Sequence, residues 1–259
     1  MPHRNGRSTE IVLLMRTLHL AILCLLGVFF TACRGGQDSS KPAPSVDSRV
    51  RLITDDGRTI EKPISLENQS GVESLRQLVG TVSGRFVLTI TTRRTNDTFD
   101  QQIEGRLGKG ILQGKVSTYL VLGDKRQLVS EETYSADVRQ GPFVSYYPKT
   151  GQVQTRAGFD AGRKNGEFLS FYPNGNCAVR MHYDHDQLEG LCEIYDKSGA
   201  LIASGTYQKG TPASGTFVED LRSFIMESID SQPITVRIAT VREPGKSTEV
   251  VERTINPKK

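Results

Sequence analysis

Gly166-Glu-Phe-Leu-Ser-Phe-Tyr-Pro-Asn-Gly175 decides the reading of this chain, because the same pattern stands on either side of it. Upstream, Gly141-Pro-Phe-Val-Ser-Tyr-Tyr-Pro-Lys-Thr-Gly151 repeats the glycines, the aromatics and the proline; downstream, Gly190-Leu-Cys-Glu-Ile-Tyr-Asp-Lys-Ser-Gly199 keeps the spacing with fewer aromatics. Gly141, Gly166 and Gly190 follow one another at 25 and 24 residues. Phe159, Tyr183 and Tyr207 stand at one offset behind Gly151, Gly175 and Gly199, and Tyr134 precedes the first copy in the same relation. A period of this length means a stack of equivalent supersecondary units, a layout suited to binding or scaffolding rather than to one catalytic pocket. All six glycines are read as turn glycines.

Each unit reads as a hairpin. Pro173-Asn174-Gly175 and Lys197-Ser198-Gly199 supply residues that accept positive φ, which fixes the register of the flanking strands. Between them, Phe168 and Tyr172 share one side of a strand and Leu169 and Phe171 the other, so both faces are partly apolar. A lone hairpin is marginal in water, so the units must join edge to edge. The expected fold is mainly β: an antiparallel β-hairpin array in meander order, with one or two short helices and a C-terminal β-hairpin.

Gly114, Tyr119 and Gly123 imitate Gly166, Phe171 and Gly175, so the array is placed at residues 114–217, its first copy carrying an insertion near Asp124 to Gln127. Residues 49–113 form an N-terminal β-rich region. Within it Val50–Ile53 and Gly57–Ile64 flank an Asp-Asp-Gly turn, Gly84–Thr92 alternates Phe86, Leu88 and Ile90, and Gly71–Gly80 has helical spacing. Gly105-Arg-Leu-Gly-Lys-Gly110 reads as loop or bulge, since no helix pattern follows it. In residues 218–259, Val218–Ile229 reads as a short helix, and Ile234–Val241 and Thr248–Ile255 as a hairpin around Pro244-Gly245.

The N-terminus reads as an export signal. Thr17–Phe30 is an apolar run of 14 residues behind Arg4, Arg7 and Arg16, too short for a confident membrane span. Phe30-Thr31-Ala32-Cys33 resembles a bacterial lipobox, with Phe30 where Leu is usual. The resemblance implies cleavage after residue 32, acylation of Cys33 and attachment to the membrane through lipid. Met15 would open a more compact signal; an uncleaved anchor and ordinary secretion are the alternatives. Residues 33–48, rich in Gly, Ser and Pro, read as a tether. Residues 1–32 carry three basic side chains and one acidic, so the remainder holds 30 basic against 28 acidic, a net +2 with no basic run and no argument for nucleic acid.

The tandem arrangement from Tyr134 to Gly215 resembles MORN repeats, in the bacterial form carried by the YwqK-type, antitoxin-labelled repeat family. Members often have Trp where this chain has Phe143, Phe168 and Cys192. The resemblance implies an antiparallel hairpin array with a binding or scaffolding role, often at membranes. An antitoxin acts in the cytoplasm, which an export signal contradicts.

Candidate chemistry is sparse. His182-Tyr-Asp-His-Asp186 is the one dense cluster of metal-competent side chains and reads as a polar hairpin end, so no metal, cofactor or catalytic residue is assigned. Glu131-Glu132 reads as a solvated strand end rather than a glycosidase pair. Cys177 and Cys192 form a candidate disulfide or two half-buried thiols. A turn centred on His185-Asp186 makes them diagonal neighbours about 7–8 Å apart, long for a bridge. Tyr146, Tyr147, Phe171 and Tyr172 form a candidate stacking surface for glycan or peptide, or the packing ladder between repeats. The expected function is that of a non-enzymatic, lipid-anchored protein of the bacterial envelope with a protein or glycan partner; the alternatives are an envelope hydrolase acting on wall polymers and an antitoxin-like binder.

Overall fold

The computed structural model describes residues 45–64, 77–80, 82–93, 98–219, 234–244 and 246–255. The signal segment, Cys33 and most of the tether lie outside them. The described chain is almost wholly antiparallel β, with strands in meander order and helix confined to residues 77–79. Two compact units divide it after Arg139.

In the first unit the strands are β1 (Ser45–Thr54), β2 (Thr59–Ile64), β3 (Gly84–Arg93), β4 (Thr98–Gly108), β5 (Ile111–Leu122) and β6 (Lys125–Ser135), hydrogen-bonded in the order β2-β1-β3-β4-β5-β6. The first strand starts four residues inside the segment read as tether, and Ser48 is buried opposite Ile64 and Ile90. The alternation of Phe86, Leu88 and Ile90 does put all three in the core, with Val50, Leu52, Ile103, Leu112 and Val116. Each such side chain contributes roughly 1.5–3 kcal/mol through burial. Val79, in the helical turn, joins this cluster; residues 71–76 of the expected helix fall outside the description.

The second unit contains β8 (Val153–Asp160), β9 (Arg163–Phe171), β10 (Cys177–Asp184), β11 (Gln187–Leu188), β12 (Gly190–Tyr195), β13 (Leu201–Gln208), β14 (Thr211–Val218), β15 (Ile234–Glu243) and β16 (Lys246–Ile255). β7 (Val138–Tyr146) begins at the unit boundary and pairs with β8. Val218, expected to open a helix, instead closes β14, buried beside Val236; residues 220–233 are not described. β15 and β16 form the expected closing hairpin.

Two kinds of turn alternate. At Lys109-Gly110, Ala136-Asp137, Ala161-Gly162, His185-Asp186 and Lys209-Gly210 both central residues have positive φ, between 47° and 80°. That is the two-residue hairpin turn whose twist matches the strands it joins. These turns recur at intervals of 27, 25, 24 and 24 residues, so the repeat frame reaches back to Lys109. The longer first interval is absorbed by longer strands: β5 and β6 meet across a tight turn at Gly123-Asp124, with no inserted loop at Asp124–Gln127. In the second unit the alternate turns are wider. Gly151 N–H donates to Tyr147 O (2.8 Å), Gly175 to Tyr172 O (2.8 Å) and Gly199 to Asp196 O (2.9 Å). The first of these holds one residue more, Thr150, which is why one period is 25 rather than 24.

Gly151, Gly175 and Gly199 are thus turn glycines, but Gly141, Gly166 and Gly190 are not. These three lie in β7, β9 and β12 with φ of 85°, 92° and 77°. Beside Gly166 the β8–β9 register shifts between Ala157 and Phe159, and β11 breaks from β12 just before Gly190. The glycine's freedom at positive φ lets the strand take extra residues there and keep its face.

The tight turns bond to the copy before them. Asp186 N–H donates to Lys164 O (2.9 Å) while Lys164 N–H donates to Asp186 Oδ1 (2.8 Å). Asp137 and Leu112 make the same pair in the first unit, at 3.1 and 2.6 Å. Burial raises the Asp137 carboxyl above its ordinary range, the bond from Leu112 opposing this in part. Because the folded-state value is raised, ionisation opposes folding: the penalty is absent below the unfolded-state pKa and grows as pH rises through it toward the folded one. Asp137→Asn keeps the acceptor and removes the charge. It is expected to be more stable than the parent chain at neutral pH, with the gap in urea midpoint closing at about pH 3.

Candidate functional site

The four aromatics of the candidate stacking surface separate onto two faces, as strand alternation requires. Tyr147 and Tyr172 are buried, and each hydroxyl donates to a main-chain carbonyl one repeat further on: Tyr147 to Phe171 O and Tyr172 to Tyr195 O, both at 2.7 Å. They are bonds between repeats, not a platform. Burial accordingly lifts the Tyr147 phenol to about 12. The third copy has Asp196 at this position, whose carboxylate accepts from Ser198 N and Ala200 N and closes its own turn. At the same end, Asn174 and Asn176 side-chain amides both donate to Lys197 O at 2.8 Å.

Tyr146 and Phe171 remain half-exposed, and Tyr195, which sequence reasoning left out, occupies the equivalent position in the next copy. The three pair in register with Val153, Cys177 and Leu201. The signal that would have found Tyr195 is its spacing of 24 from Phe171. Arginines accompany this row. The Arg156 guanidinium lies 5.9 Å from the centre of the Phe171 ring, and Arg180 stands between Glu167 (3.7 Å) and Glu193 (3.5 Å). The face therefore offers aromatic surface interleaved with guanidinium and carboxylate groups, chemistry suited to stacking and hydrogen bonding.

The aromatics of the second half-repeats fulfil a packing role. Phe159 meets Phe143, Tyr183 meets Phe168 and Tyr207 meets Phe217, all edge to face with centroids 5.0–6.2 Å apart. In the third copy Cys192 takes the place of the phenylalanine. It is buried, and burial pushes its thiol up to about 11, with Glu193 adding to the shift.

Of the two readings for Cys177 and Cys192 the structure has the free thiols, Cys177 half-buried and Cys192 buried. The break at Glu189 moves the ladder by two residues: Val179, not Cys177, lies opposite Ile194. Cys192 pairs instead with Gly205 on β13. Cys177 is half-buried and its thiol is raised less far. Alkylation at about pH 8 is expected to label Cys177 well before Cys192. Peptide mass spectrometry over a time course checks this, and urea should erase the difference.

His182 and Asp184 are exposed, and Asp186 is committed to Lys164. His185 lies within 2.5 Å of Asp184 and 3.5 Å of Asp160. Among the described residues no group of three or more His, Cys, Asp or Glu could hold a metal ion. Glu132 is not the solvated strand end expected: it is 4 % exposed, 2.6 Å from Arg139, and accepts from the Tyr134 hydroxyl at 3.1 Å. Its neighbour Glu131 does reach solvent, paired with Lys115 at 2.8 Å.

In comparisons with known proteins, no family model matches this chain and no curated protein matches it.

Proposed function

We propose that this chain is a non-enzymatic scaffold of the bacterial envelope, held to the membrane by lipid on Cys33, whose MORN-like array presents a binding face to a protein or glycan partner. The observation that carries the binding role is the row Tyr146, Phe171 and Tyr195, half-exposed at equivalent positions of successive repeats. A row repeated in register engages an extended partner at several equivalent points, which suits a repeat array. Two of the side chains that looked most chemical, by contrast, are occupied within the sheet: Asp186 at a turn and Glu132 in a buried ion pair.

The test combines two variants in cells. Cys33→Ser is expected to move the protein from the membrane to the soluble fraction; unchanged membrane association rejects the lipid anchor. Tyr146→Ser, Phe171→Ser and Tyr195→Ser together are expected to abolish crosslinking of the partner captured by the parent chain, with the β circular dichroism retained. Undiminished capture by the folded triple variant rejects this face as the binding surface.

A further inference from the structure

Among the described residues β16 is the last strand, pairs with β15 on one side and ends the hydrogen-bonding order. Residues 249–254 are all exposed, Val250 at 40 % and Val251 at 50 %. The strand at the other end of the order, β2, is short and carries Lys62 and Pro63, features that discourage a further strand from pairing. β16 spans ten residues without a proline.

Its sequence complements itself. When Glu249-Val-Val-Glu-Arg253 is laid antiparallel to a second copy about Val251, each Glu249 stands opposite the other copy's Arg253 and Val251 stands opposite itself. Two identical ion pairs then flank an apolar centre, the self-matching surface that a two-fold interface requires. Alternation places Glu249, Val251 and Arg253 on one face. The ladder with β15 sets Arg253 beside Val236 and Val251 beside Ile238, residues of the second unit's core. A second Val251 would continue that apolar stripe across the edge. Among the described residues neither Glu249 nor Arg253 has an ion-pair partner, whereas Glu252, on the opposite face, is engaged by Arg237 at 3.8 Å and would remain so.

We propose that β16 is a homotypic edge, through which two copies of this chain pair antiparallel about Val251 into one continued sheet. Main-chain hydrogen bonds supply attraction, and the Glu249–Arg253 pairs select the register.

Sedimentation of the full chain in detergent, at concentrations up to roughly 100 µM, tests this with three variants: Glu249→Arg, Arg253→Glu and the double exchange. Either single reversal creates two like-charge oppositions per dimer and is expected to weaken association about tenfold. The double exchange restores opposite charges and is expected to return association to the parent level. Both substitutions are at exposed positions, and circular dichroism confirms that each of the three variants is folded. A parent chain that stays monomeric overturns the proposal. So does a dimer indifferent to the single reversals, or a double exchange that fails to restore it.

Discussion

Gly215→Ala is expected to destabilise the second unit by about 3–5 kcal/mol, a large share of the roughly 5–15 kcal/mol that keeps a typical domain folded. Gly215 holds φ at +108°, and a Cβ there would lie 2.5 Å from both the Cα of Gly205 and the carbonyl oxygen of Ser204. Those are main-chain atoms of the adjoining strand and cannot swing aside. The two glycines face each other across β13 and β14, and a Cβ on Gly205 would meet the Phe217 ring at 2.4 Å. The strands approach closely here so that Phe217 can pack on Tyr207. Gly199→Ala provides the contrast. Its φ is +85° but nothing lies within 4 Å of the added carbon. Only backbone strain remains, about 1–2 kcal/mol. Urea unfolding of the two variants beside the parent reads the difference, and equal losses would mean that close approach of the strands is not what Gly215 provides.

Tyr172→Ala is expected to cost about 3–5 kcal/mol, the usual loss for truncating a buried aromatic. At 2 % exposure it is among the largest fully buried side chains, packed with Ala178, Val179 and Ile194. Its hydroxyl makes a separable contribution. Tyr172→Phe retains the ring and removes the donor to Tyr195 O, leaving that carbonyl without this partner. The expected cost is about 1–2 kcal/mol. Tyr147→Phe should cost about the same, because its hydroxyl makes the equivalent bond to Phe171 O. A Tyr172→Phe variant as stable as the parent in denaturant titration would show that the tyrosine row packs without stitching the repeats.

The repeat and its β character were legible in sequence because two signals agree: alternating apolar residues along each strand and small or polar residues at each turn. The limits of legibility were set by bulges. Gly141, Gly166 and Gly190 carry the same sequence signature as turn glycines, since both need positive φ, yet they sit inside strands. Missing the bulge misplaces everything beyond it, and the register of Cys177 and Cys192 was lost for that reason. The candidate surface was half legible. Alternation separates Tyr146 from Tyr147 and Phe171 from Tyr172, but both faces of β9 carry aromatics, so the pattern does not say which face is buried. Tyr134 stands two residues along the same strand, but the burial of Glu132 could not be read locally because its charge partner, Arg139, lies beyond the Ala136-Asp137 turn.

The equivalence of the repeats is tested most directly by excising one of them. Removing Gly166 to Glu189 deletes one period of 24 residues and joins Asn165 to Gly190. The bulge glycine returns to its place after the Ala161-Gly162 turn, and Tyr195 O takes the position of Phe171 O before the Tyr147 hydroxyl. The shortened chain is expected to keep its β circular dichroism and to melt in one cooperative step within about 10 °C of the parent. A chain that loses cooperative melting would contradict the account, because it would mean that the copies are alike in sequence without being interchangeable in the sheet.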